Sequence, residues 1–191
     1  MLEIVHYPHP ALRWKSRPVS RIDKQLRKTV EEMLELMYEF KGIGLAANQV
    51  ALPLRLFVMN PTGDPEETDQ EFVFINPEIS RRKGSVEGEE GCLSLPEVYG
   101  QVRRAAEIVV DAFDLSGQPF QCTLDELPGR VVQHENDHLD GVMFFDRMTA
   151  EAVQDIETKI AEFEHTFRQS QSKGETPSDE ELKRQLEALQ H

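Results

Sequence analysis

Residues 134–138 read His-Glu-Asn-Asp-His. Histidines four apart on a helix share one face, so the imidazoles of His134 and His138 can reach a single metal ion. Glu135 sits beside them and could take a proton from a water activated by that ion. The same five residues also suit a solvated helix that happens to carry two histidines. A hydrolytic site needs a third protein ligand and an open position. Cys92 lies in the Gly- and Pro-bounded run Glu89-Glu90-Gly91-Cys92-Leu93-Ser94-Leu95-Pro96, read as a loop, and its thiolate would be a soft ligand. Glu157 is the rival ligand, although a charge on the solvated face of a helix is its simpler reading. His6, His9, His165 and His191 are scattered and read as surface or core residues. Cys122 reads as a small apolar residue within a strand. The stretch Gly42-Ile43-Gly44-Leu45-Ala46-Ala47-Asn48-Gln49 could let backbone approach a ligand and offers the Gln49 amide as a donor. It fits a plain helix-to-strand connector equally well.

These groups need elements to hold them. Leu26, Val30, Met33, Leu34 and Met37 recur at helical spacing and predict a helix over about Asp23–Phe40, ending at Lys41-Gly42. Leu54–Met59 and Glu71–Asn76 are short apolar runs that predict strands, separated by an exposed acidic connector. Glu107–Leu115 and Gln118–Leu124 flank Ser116-Gly117, a hairpin signal. A helix over about Asp125–Asp140 carries the two histidines, with Asp125 as N-cap and Pro128 in the first turn, where a missing N–H is tolerated. Val153, Ile156, Ile160, Phe163 and Phe167 predict one helix from Ala150 to Phe167. Residues 169–178 read as a linker between a body at 1–168 and a C-terminal extension at 169–191. Ser178 opens a capped helix bearing Leu182, Leu186 and Leu189. That short helix is marginal alone, so the tail is expected to be mobile or to pack on another surface, such as a second copy.

The chain has 191 residues, the length of one domain with a true core. Its net charge of −14 argues against a nucleic-acid binder that works by counterion release. The charge is uneven: residues 1–41 sum to +2, 42–149 to −11 and 150–191 to −5. No apolar run is long enough to span a bilayer, and Met1-Leu2-Glu3-Ile4-Val5-His6 lacks the pattern of a secretory signal. Two cysteines make no disulfide framework, which suits a reducing cytoplasm.

Taken together, Gly42–Gln49, Glu90–Ser94 and Gln133–Leu139 resemble the three signature motifs of peptide deformylases of the bacterial type. Tyr7-Pro8-His9-Pro10-Ala11-Leu12-Arg13 is similar to the family's N-terminal stretch. The resemblance covers roughly residues 1–165. It implies an α+β fold, with the histidine-bearing helix cradled by antiparallel strands and helices at both ends. It also implies one divalent metal held by Cys92, His134 and His138, with iron(II) expected in the cell and zinc, nickel or cobalt possible in a purified sample. By the same resemblance Glu135 is general base and acid, while the Leu93 N–H and the Gln49 side chain bind the oxygen of the scissile formyl group. The methionine side chain would lie near Ile43, Leu127, Arg130 and Val131, with Gly44 lining the approach. The implied substrate is the N-formylmethionine of nascent peptides in the cytoplasm. Ribosome docking is weakened by the acidic tail, and no membrane or DNA partner is expected. Leu127-Pro128-Gly129 departs from the family pattern and predicts a shifted first turn and a reshaped pocket. Two rivals remain: a zinc protease using Glu157, and a module whose metal only staples the fold.

Overall fold

The computed structural model describes residues 2–189; His191 lies outside them. The fold is α+β. Five antiparallel strands form one sheet in the order β1 (Gly44–Ala46), β2 (Leu56–Met59), β3 (Phe72–Lys83), β6 (Glu107–Phe113), β7 (Pro119–Asp125). A hairpin of β4 (Val86–Cys92) and β5 (Leu95–Arg104) forms a second, smaller sheet.

The large sheet is covered on both faces along one inner strand, β2. Its four residues are all buried, and successive side chains point to opposite sides. Leu56 and Val58 pack with Val30, Met33 and Met37 of α1 (Lys24–Glu39). Phe57 and Met59 pack with Val131, Val132 and Leu139 of α2 (Glu126–Leu139). α1 begins where expected, with the Asp23 carboxylate accepting from Leu26 N–H at 3.0 Å. It closes with Gly42 N–H on Met37 O at 2.8 Å and Lys41 N–H on Tyr38 O at 2.9 Å. Lys41 holds the left-handed conformation at φ 57° in this cap. Gly42 is required by close approach instead, since a Cβ there would stand 2.7 Å from Leu93 Cδ1.

Four expectations are corrected. Glu89–Pro96 is a hairpin and not a loop: Cys92 ends β4 opposite Leu95, and Leu93-Ser94 is the turn. Three glutamates and two glycines hid β4 from strand propensity, and pairing with β5 outweighs it. The helix expected from Ala150 to Phe167 is two, α3 (Ala150–Gln154) and α4 (Glu157–Ser172), because Ile156 turns into the core beneath β5 with Val98 and Phe144. α4 continues to Ser172, so the linker shortens to the few residues before α5 (Asp179–Ala188). The β6–β7 turn spans Asp114–Gln118, held by the Asp114 carboxylate accepting from Ser116 and Gln118 N–H groups.

The tail packs on its own chain. Leu182 and Leu186 of α5 are buried, and α5 lies against the 3-10 turn Pro10–Arg13. Arg168 of α4 meets Asp179 at 2.7 Å, and Arg17 donates to Leu189 O at 2.8 Å. Leu189 itself is exposed. Among the described residues no helix is long and apolar enough to cross a membrane.

Candidate active site and metal centre

Three separate elements converge on one cleft of about 520 Å³. α2 runs through the middle of the molecule, and every residue from Val131 to Leu139 is buried, including six polar ones. Its first turn is unusual. Asp125 occupies the N-cap position, yet its side chain accepts no hydrogen bond. Glu126 takes a left-handed φ of 45°. Gly129 does not face the cleft; a Cβ there would lie 3.0 Å from Leu124 O, so glycine lets the helix start press against the end of β7. The expected reshaping of the pocket by Pro128-Gly129 is therefore, at Gly129, a packing device between helix and strand.

The ligand atoms of Cys92, His134 and His138 all lie within 4.8 Å of one another. Cys92 Sγ is 3.2 Å from His138 Nε2, and the two imidazole Nε2 atoms are 3.1 Å apart. Tetrahedral bonds of about 2.0–2.3 Å would put ligand atoms roughly 3.3–3.8 Å apart. The cluster therefore needs only a small expansion to close around an ion, and one thiolate with two imidazoles suits iron(II), zinc, nickel or cobalt. Glu157 is exposed at the start of α4 and takes no part. His6 and His165 are exposed, and His9 accepts from Ala11 N–H at 3.1 Å in a local turn. Cys122 is half-buried, packed against the cluster under α2.

Glu135 is 4% exposed, and its Oε2 has no hydrogen-bond partner among the described residues. Burial pushes its carboxyl up to about 7, with the Glu90 charge adding to the rise against the opposing charges of His134 and Arg104. Burial also pushes the His138 imidazole well below its ordinary range, and the His134 charge adds to this. At His134 burial acts the same way, but hydrogen bonds to Cys92 and Glu90 outweigh it and raise that ring. The Gln49 amide is locked in one orientation: Oε1 accepts from Ala46 N–H at 2.8 Å, and Nε2 faces Cys92 Sγ at 3.4 Å and Ser94 Oγ at 3.3 Å.

Sequence reasoning gave no role to the groups behind the ligands. Glu90 Oε2 accepts from His134 Nδ1 at 2.9 Å and fixes that ring. The same carboxylate accepts from Arg104 Nε and Nη2 at 2.8 and 2.9 Å and from Arg130 Nη1 at 2.8 Å. Arg104 continues to Asp137, which Arg147 also grips at 2.8 and 3.0 Å. Burial would raise the Glu90 pKa, but Arg104 and His134 hold it well below the usual carboxylate range. Nothing in the spacing of Glu90, Arg104 and Asp137 announces this network; only adjacency to Cys92 and His138 points toward two of them.

Ile43, Gly44, Leu127, Arg130 and Val131 all line the cleft, with Gln49, Leu93 and Glu135. The Arg130 guanidinium is spent on Glu90 and on the Val86 and Val102 carbonyls, leaving its stem to the wall. The three segments singled out in the sequence thus meet in one place. Residues 1–154 match the family model described as polypeptide deformylase. The chain belongs to the polypeptide deformylase family. It is 49% identical to the peptide deformylase of Rhodopirellula baltica over 184 residues, 96% of this chain and 91% of that one. Its fold superposes on an inhibitor complex of Arabidopsis thaliana peptide deformylase 1B with a TM-score of 0.85 at 41% identity, covering 88% of this chain and 93% of that one. For a peptide deformylase of Plasmodium falciparum the TM-score is 0.86 at 35% identity, covering 88% and 98%. As a deformylase, the protein is a hydrolase that removes the formyl group from N-formylmethionyl peptides. The zinc-protease and structural-metal alternatives fall with that membership.

Proposed function

We propose that Cys92, His134 and His138 hold the metal, that Glu135 moves the proton, and that Gln49 and Leu93 stabilise the developing oxyanion. One observation supports this most: a thiol and two imidazoles converge within 4.8 Å beside a buried carboxylate with a free oxygen. When bound, the ion would polarise the formyl oxygen and lower the pKa of a water. Glu135 accepts the proton of that water as the formyl carbon is attacked, then delivers it to the departing amine. Its raised pKa of about 7 suits both tasks. The Leu93 N–H and Gln49 Nε2 donate to the oxygen as it becomes negative, each donor worth about 3–4 kcal/mol in comparable sites. Ile43, Leu127, Val131 and the stem of Arg130 form the wall for the methionine side chain, and Gly44 leaves its approach open.

The ion in the cell is iron(II), with zinc, nickel or cobalt able to replace it on purification. The thiolate beside iron makes that form sensitive to oxidation. The enzyme works in the cytoplasm on nascent chains. A ribosomal contact has to avoid the first turn of α5, where Asp179, Glu180 and Glu181 would repel RNA phosphates. Anaerobically prepared protein, with its metal content measured, is assayed on formyl-Met-Ala-Ser and acetyl-Met-Ala-Ser. The formyl peptide should be cleaved far faster, because Gly44 and Leu93 crowd the site where a methyl would sit. Equal rates would point to a broader amidase.

A further inference from the structure

Asn48 is fully buried next to Gln49 in the 3-10 turn Ala47–Val50. Its side-chain Nδ2 donates to the main-chain carbonyl of His138, 90 residues away, and to that of Ala11 at 3.4 Å. Gln49 and the metal ligands come from different elements: the turn after β1, the end of β4 and the C-terminal half of α2, where His138 lies in the last turn. Much of the packing of β1 on α2 is apolar, through Ala46, Val131 and Val132, with the Glu135 carboxylate set against Gly44. Apolar contact holds elements together without fixing their direction. A hydrogen bond to a carbonyl does fix it. The Asn48 amide is such a link between the residue that carries a metal-ligating imidazole and the turn that carries the oxyanion donor.

We infer that Asn48 is a positioning residue, whose amide on the His138 carbonyl holds the Gln49 amide and the metal centre in one frame. The inference rests on the proposed role of Gln49 and goes beyond it. Its signature is a loss of turnover that passes through Gln49. A misplacement of about 1 Å costs on the order of 100-fold in rate. Asn48→Ala should therefore lower kcat roughly 10- to 100-fold, with KM for a short formyl peptide nearly unchanged.

The test is a double-mutant cycle with Gln49→Leu in cobalt-loaded protein, with metal content and thermal midpoint measured for each variant. In the Gln49→Leu background, Asn48→Ala should cost less than about three-fold, because the group it aligns is gone. The thiolate-to-cobalt absorption of Asn48→Ala alone should shift, since the frame around His138 has relaxed. If Asn48→Ala does not fold, Asn48→Ser, which keeps a shorter donor, replaces it in the same cycle. Equal losses in both backgrounds, an unchanged spectrum, or wild-type kcat would each overturn the proposal. Full turnover in Gln49→Leu alone would instead remove the role given to Gln49, and the inference with it.

Discussion

Replacing Gly44 by alanine adds one methyl group between β1 and α2. That Cβ would stand 2.5 Å from Glu135 Oε1, 2.9 Å from Glu135 Cδ and 2.9 Å from Val131 Cγ1. Relaxed contacts to carbon lie at about 3.5–4.0 Å, so the carboxylate must retreat by roughly 1 Å. It has nowhere to go without moving α2 or leaving its rotamer, because Glu135 and Val131 are both buried. Overpacking of this kind costs about 1–3 kcal/mol of stability. A displacement of about 1 Å in a reacting group costs on the order of 100-fold in rate. Gly44 does not adopt a left-handed conformation, so backbone strain adds nothing. The expected Gly44→Ala enzyme binds metal in full, because the three nearest atoms to the new Cβ belong to Glu135 and Val131. It unfolds at modestly lower denaturant and shows kcat/KM about 100-fold down on formyl-Met-Ala-Ser. Metal analysis, a denaturation curve and initial rates on one preparation decide it. Wild-type kcat/KM with full metal would refute both the geometry and the role assigned to Glu135.

Gln49→Leu should retain metal and lose about 100- to 1000-fold in kcat, the usual effect of deleting one oxyanion donor; unchanged kcat would return Gln49 to a connector role. Glu90→Gln should weaken metal affinity about 10- to 100-fold in a chelator competition, because the His134 ring loses its carboxylate partner. Arg130 would then lose its carboxylate partner and buried Arg104 would keep Asp137 alone, which should also cost about 3–5 kcal/mol in a urea titration. The Glu90 pKa is depressed in the folded state, so its contribution to stability is complete above the ordinary glutamate value of about 4.3 and fades as pH falls further. Acid unfolding followed by circular dichroism should therefore begin at higher pH in Arg104→Met than in wild type. Truncation after Ser172 removes Leu182 and Leu186 from the Pro10–Arg13 turn, and should lower the denaturation midpoint while kcat/KM stays within a few fold. A collapse of turnover with metal still bound would show that the tail reaches the cleft.

Much of the site was legible because its chemistry needs fixed residue types at fixed helical spacing. The four-residue spacing of His134 and His138 put both on one helical face with Glu135 beside them, yet period alone left a solvated helix equally open. Local reading left the third ligand open between Cys92 and Glu157, and the resemblance favoured Cys92. Only the fold, by bringing β4 against α2, separates the two physically. Elements with strong amphipathic patterns, α1 and α2, appeared within a residue or two of their bounds. β4 did not, since Val86-Glu87-Gly88-Glu89-Glu90-Gly91-Cys92 has the composition of a loop and is a strand through its partner. The break at Ile156 likewise has no local cause and follows from burial beneath β5. The network of Glu90, Arg104 and Asp137 was invisible because its members are joined across space with no shared period.

The central claim is that a metal held by Cys92, His134 and His138 works with the free carboxylate of Glu135. Formate release from formyl-Met-Ala-Ser by wild type and by Glu135→Gln, at equal measured metal occupancy, tests it most directly. The account predicts rapid, stoichiometric formate from wild type and a loss of at least about 100-fold in Glu135→Gln. Formate released at the wild-type rate by Glu135→Gln with its metal in place would contradict it.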